Sequence, residues 1–183
     1  RSQRELCRGQ GAEMIWARKP GPLTPLQVVD IFRQKTAPAF EVALRLGALY
    51  AGQHDECSEV LGPYSRALGI AYQIRDDLTD LGASGETNDI AGLRPSLLLA
   101  VARERSSGPE RELLESLWRR ESAAPDTAQV EALYRKLKAD ERCEHLLESY
   151  KEEAIRSLAS LENPSLKGLL RRVVGKIFND VEI

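Results

Sequence analysis

Three aspartates and a glutamine recur at helical spacing in Gly69-Ile70-Ala71-Tyr72-Gln73-Ile74-Arg75-Asp76-Asp77-Leu78-Thr79-Asp80. On an α-helix, residues three and four apart share a face. Gln73, Asp76, Asp77 and Asp80 therefore form one polar stripe, while Ile70, Ile74, Leu78 and Leu81 point largely elsewhere. Hard divalent cations prefer carboxylate oxygens, and Mg²⁺ takes one or two carboxylates, keeps several waters and completes its shell with substrate phosphates. D-D-x-x-D on a helix meets that demand. In a chain with 30% charged residues the competing reading is a solvated acidic face. The preceding residues Leu68, Gly69, Ile70, Ala71 and Tyr72 are small or apolar, however, so the stripe belongs to a helix that otherwise reads as buried. Burying three carboxylates without cations is costly, so the pattern implies a cationic ligand in a cavity.

The elements that must position this stripe all read as helices, and the fold class is all-α. Thr24-Pro25-Leu26-Gln27 offers an N-cap, a proline at the first helical position and a capping-box glutamine. Apolar residues then recur from Val28 to Leu44, predicting a helix to about Gly52. Pro38 lies inside it and predicts a kink that aims the nearby Lys35 and Thr36 into a cavity. The acidic stripe ends a second helix over roughly residues 54–82. The polar, glycine-bearing residues 82–92 predict a lid that ligand would order. Pro95 and Pro109 mark helix starts, and a turn near Pro125 opens another helix. Residues 129–161 read as a strongly charged, amphipathic pattern of helices with short breaks, ended at Asn163-Pro164-Ser165 before a final helix.

Composition narrows the partners. A length of 183 residues with 42% hydrophobic content is enough to bury one core, and no apolar run approaches the length of a membrane span. A net charge of −2 leaves no electrostatic footprint for nucleic acid. Cys7, Cys57 and Cys143 are far apart and lack C-x-x-C spacing, which predicts reduced, packed thiols in a cytoplasmic protein. His54 and His145 have no partners at ligand spacing and read as surface or capping residues. The chain opens on Arg1-Ser2-Gln3 without a methionine or a signal-peptide pattern, which reads as part of something longer.

Taken in order, several segments resemble the C-terminal half of a trans-isoprenyl (polyprenyl) diphosphate synthase, the class that includes farnesyl and geranylgeranyl diphosphate synthases. Gly9-Gln10 with Glu13 resembles the family's G-Q-x-x-D/E helix, and Lys35-Thr36 followed by Leu46-Gly47-Ala48 resembles its K-T and L-G-A segments. Gly69 to Leu81 is similar to its second aspartate-rich motif, and Tyr150 to Ala154 with the last helix resembles its C-terminal pair.

The resemblance implies an isoprenoid synthase-type helical bundle around a central cavity, residues 1–183 being the C-terminal part of one such domain. It implies Mg²⁺-dependent condensation of an allylic diphosphate with isopentenyl diphosphate to a linear isoprenyl diphosphate. Asp76, Asp77 and Asp80 would bind metal, Lys35, Thr36 and Gln73 would act in catalysis, and Lys35, Gln73, Arg94 and Gln10 would contact substrate. The implied assembly is a homodimer, or a complex with a chain supplying the N-terminal half.

Two departures qualify the implication. No second D-D-x-x-D occurs in the sequence, so residues 1–183 alone are expected not to transfer a prenyl group. The segment from Asp80 to Asp89 is several residues shorter than is usual in the family, with Ser84 where a lysine is normal and Arg94 at a later lysine position. A non-catalytic partner subunit and a class I terpene cyclase-like enzyme are the other readings the sequence allows.

Overall fold

The computed structural model describes residues 2–52, 54–80, 94–119 and 127–178, and for His54, Asp55, Glu56, Asp80 and Thr127 it describes the backbone alone. Among these residues there are eight helices and no strand: α1 (Ser2–Arg18), α2 (Pro25–Tyr50), α3 (His54–Asp80), α4 (Leu97–Arg105), α5 (Gly108–Arg119), α6 (Thr127–Lys136), α7 (Ala139–Ser157) and α8 (Pro164–Phe178). The expected lid over residues 82–92, with Ser84, and the turn near Pro125 lie outside the described residues.

Local chemistry explains where the helices start. The capping box of α2 is formed: the Gln27 amide donates to Thr24 Oγ1 at 3.3 Å, and Gln27 Oε1 accepts from the Thr24 amide at 2.8 Å. Asn163 caps α8 by accepting from the Leu166 amide at 3.1 Å, with Pro164 next in line. Ser96 caps α4 through the Leu99 amide. Pro38 interrupts no helical assignment: α2 runs through it, and Pro38 is buried.

The amphipathic pattern over 129–161 is divided between α6 and α7. The chain breaks at Leu137-Lys138, where Lys138 takes the left-handed conformation with φ 53° and ψ 38°. Arg105 stabilises the break by donating to the carbonyl oxygens of Leu137 and Lys138 at 3.1 and 2.7 Å. That support comes from another helix and leaves no local signature.

Two apolar clusters flank α3. One gathers Val28 and Phe32 of α2, Ile70 and Ile74 of α3, and six consecutive residues of α4, Leu97 to Ala102, each at most 3% exposed. The other joins Leu61, Tyr64 and Leu68 of α3 to Ala154, Leu158, Leu170 and Val174 of α7 and α8. Tyr64 Oη donates to the Leu170 carbonyl at 2.8 Å, so this buried phenol is satisfied, and burial pushes its pKa up.

α2 is gripped from both sides by glycines. A Cβ at Gly9 would lie 2.6 Å from the Lys35 amide nitrogen, and one at Gly69 would lie 2.8 Å from the Ala37 backbone. Only a residue without a side chain lets α1 and α3 approach that closely. The contact points fall on the turn of α2 that carries Lys35.

The expectation of three packed thiols holds for two of them. Cys57 and Cys143 are buried, whereas Cys7 is exposed on α1. Met14, Ile15, Val42, Leu46, Leu49 and Tyr50 leave apolar surface on α1 and α2 in contact with solvent. No described helix is long and apolar enough to cross a membrane.

Candidate functional site

One small pocket collects residues from α1, α2, α3 and the segment leading into α4. Its lining is Glu13, Ile31, Phe32, Lys35, Gln73, Asp76, Asp77, Arg94 and Pro95, around a volume of about 70 Å³. That is room for several water molecules, and so for a hydrated cation. Five residues singled out in the sequence, Lys35, Gln73, Asp76, Asp77 and Arg94, therefore meet at one place, though Lys35 and Arg94 stand on different elements. Gln10 is exposed on α1, and neither it nor Thr36 lines this pocket.

The aspartates differ sharply in environment. Asp76 has 44% of its side chain exposed, and its Oδ1 accepts from Arg75 Nη2 at 3.1 Å. Asp77 is 4% exposed. Its Oδ2 accepts from the amides of Leu97 and Leu98 at 2.5 and 3.0 Å. These are two of the amides that a helix leaves unsatisfied at its N-terminus, where a carboxylate also meets the favourable end of the helix dipole. Asp77 thus ties α3 to α4 and holds the Arg94-Pro95 segment against the pocket. Its charge, after burial, helps push the Cys143 thiol pKa up.

Lys35 Nζ lies 3.0 Å from Glu13 Oε1, and both side chains are mostly buried, at 22% and 16% exposure. Glu13 fixes the ammonium beside the acidic residues, a partnership across 22 positions that a sequence motif shows only as a recurring acidic residue on α1. Ile31, Phe32 and Pro95 give the pocket an apolar side, which lowers the local dielectric and strengthens whatever charge pairing takes place there.

The donor set suits a hard cation with an anion. Oxygen donors on one helix face oppose Lys35 and Arg94, two cations that bind phosphate oxygens well. Among the described residues no three His, Cys, Asp or Glu side chains form a metal cage.

A model of the polyprenyl synthetase family matches residues 1–137. The chain belongs to the polyprenyl synthetase family. Over 82 residues it is 33% identical to a geranylgeranyl diphosphate synthase of Methanosarcina mazei, a match covering 45% of this chain and 25% of that protein. Over 77 residues it is 36% identical to a farnesyl diphosphate synthase of Escherichia coli, covering 42% and 25%.

A crystal structure of a polyprenyl synthase from Caulobacter crescentus, complexed with calcium and isoprenyl diphosphate, superposes with a TM-score of 0.81 at 27% identity. The superposition covers 97% of this chain and 56% of that one. A decaprenyl diphosphate synthase from Rhodobacter capsulatus shares the fold, with a TM-score of 0.84 and 21% identity over 100% and 58% of the two chains. The chain thus spans under two thirds of the length of these polyprenyl synthetase relatives.

Proposed function

We propose that this chain forms the Mg²⁺- and diphosphate-binding part of a prenyltransferase that condenses an allylic diphosphate with isopentenyl diphosphate to a linear isoprenyl diphosphate. The observation that carries the reading is the convergence of Lys35, Gln73, Asp76, Asp77 and Arg94 on one pocket within the family's fold. Mg²⁺ held by Asp76, Asp77 and Asp80 would neutralise the charge of the departing diphosphate. Lys35 and Arg94 would take diphosphate oxygens from the other side, with Glu13 keeping the Lys35 ammonium in place. The Gln73 amide oxygen would face the positive charge that develops on the allylic fragment. Thr36 and Gln10, which stand outside the pocket, would act on the longer parts of the substrates.

The proposal extends to the assembly. Residues 1–183 are read as the C-terminal part of one isoprenoid synthase domain, in a cytoplasmic homodimer or in a complex that brings a second carboxylate cluster. Exposed Val42, Leu46 and Leu49 on α2 support this reading. Ser84 and the shortened segment before it favour a second reading, a partner subunit that modulates an active synthase.

A direct test incubates Mg²⁺, isopentenyl diphosphate and each allylic diphosphate with the chain alone and with a chain bearing an N-terminal aspartate-rich motif of the family. Elongated product only in the combination supports the proposal. Product from residues 1–183 alone would refute the requirement for a second cluster, and a combination that is active without Asp76 would support the partner-subunit reading.

A further inference from the structure

Arg75 stands between the acidic stripe and the end of α8. Its Nη1 donates a short hydrogen bond to the Ile177 carbonyl, and its Nη2 donates to Asp76 Oδ1 at 3.1 Å. The guanidinium carbon lies 4.6 Å from the Tyr72 ring centroid and 5.7 Å from that of Phe178. Phe178 also lies 5.4 Å from Lys151 Nζ, so the end of α8 is held by two cations. Three of the four partners of Arg75 are independent of Asp76, and the arginine keeps its place if that carboxylate leaves.

Adjacent residues on a helix point about 100° apart. For Asp76 to accept from Arg75 while lining the pocket, the two side chains must reach toward each other across that angle. A cation that takes Asp76 Oδ1 must share it with this arginine or displace it, and in either case sits near its positive charge.

We infer that Arg75 is a built-in counter-ion for Asp76, anchored by the end of α8, which weakens binding of a bare divalent cation and makes cation binding depend on an accompanying diphosphate. An anion in the pocket offsets the repulsion between arginine and cation, so metal and diphosphate bind together more favourably than metal alone. Arg75 is in this sense a positioning residue that acts through Asp76. The inference rests on the assignment of Asp76 to the cation under the proposed function.

The test uses Mn²⁺, followed by electron paramagnetic resonance, with and without inorganic pyrophosphate, on the intact protein. Arg75→Gln should bind Mn²⁺ alone about fivefold tighter than the wild type, the scale of a partly exposed charge pair. The enhancement produced by pyrophosphate should shrink by a similar factor. Arg75→Lys, which keeps the charge, should resemble the wild type, and Phe178→Ala, which loosens the anchor, should shift binding in the same direction as Arg75→Gln but less. A tighter site cannot arise from damage to the fold, which separates this role from a structural one. Equal or weaker Mn²⁺ binding by Arg75→Gln, in a protein whose wild type binds Mn²⁺ with pyrophosphate, would overturn the inference alone. A wild type that fails to bind Mn²⁺ even with pyrophosphate would overturn the functional assignment and this inference together.

Discussion

Asp76 and Asp77 are neighbours in sequence with different tasks. Asp76 is the more exposed carboxylate and accepts from Arg75, whereas Asp77 is buried and caps α4. Asp77→Ala should destabilise the protein by about 2 kcal/mol, through loss of a charged cap and of buried hydrogen bonds. Urea denaturation checks this, and a variant as stable as the wild type would contradict the capping role. Lys35→Ala should leave the chain folded, at some cost in stability because it strips the mostly buried Glu13 of its partner, and should weaken pyrophosphate binding roughly ten- to a hundredfold. The thiols report independently on packing. Cys7 is exposed, and Cys143 is buried with its pKa pushed up, so a disulfide reagent should titrate one thiol quickly in the native protein and all three after denaturation. The stripe itself was legible because its residues repeat at helical spacing. The pairing of Lys35 with Glu13, the capping by Asp77 and the anchoring of Arg75 were not, since each joins positions that only the folded chain brings together.

At the scale of elements, glycines set the spacing that makes the pocket. Gly69→Ala would force the new methyl into the backbone of α2 at Ala37, one turn before Gln73. A cost of about 1–3 kcal/mol is expected, together with weaker pyrophosphate binding as α3 moves away from Lys35. Full stability and full binding in that variant would show that the close approach is unnecessary. Farther from the site, Glu115 of α5 pairs with Arg103 of α4 and with Arg111 and Arg119 of its own helix. The Arg103 hydrogen bond first, opposed by burial, holds its carboxyl below the usual glutamate range. A depressed folded pKa contributes stability above the ordinary glutamate pKa and loses it as pH falls through the folded value. Melting temperatures of wild type and Glu115→Gln should therefore differ near neutral pH and converge as pH falls below the ordinary glutamate pKa and through the lower folded value. Capping residues and prolines made the starts of α2 and α8 readable. The break at Lys138 was unreadable because a non-glycine residue takes the left-handed conformation there and the support comes from Arg105 on α4.

At the scale of the whole molecule, eight described helices build one wall of a polyprenyl synthetase fold and bring one carboxylate cluster to it. The all-α class was legible in the periodicity throughout. The family was legible in the order of Gly9-Gln10, Lys35-Thr36 and the stripe from Gly69. What the order did not reveal is that Gly9 serves helix packing while Gln10 faces solvent away from the pocket. The central claim is that α1, α2, α3 and the segment before α4 make one site for Mg²⁺ and diphosphate together. Calorimetric titration of the intact protein with inorganic pyrophosphate, with Mg²⁺ and then with the metal chelated, measures it most directly, using Asp76→Asn as the control. The account predicts binding that requires Mg²⁺ and that falls roughly tenfold or more in Asp76→Asn. Equal pyrophosphate affinity without Mg²⁺, or in Asp76→Asn, would contradict it.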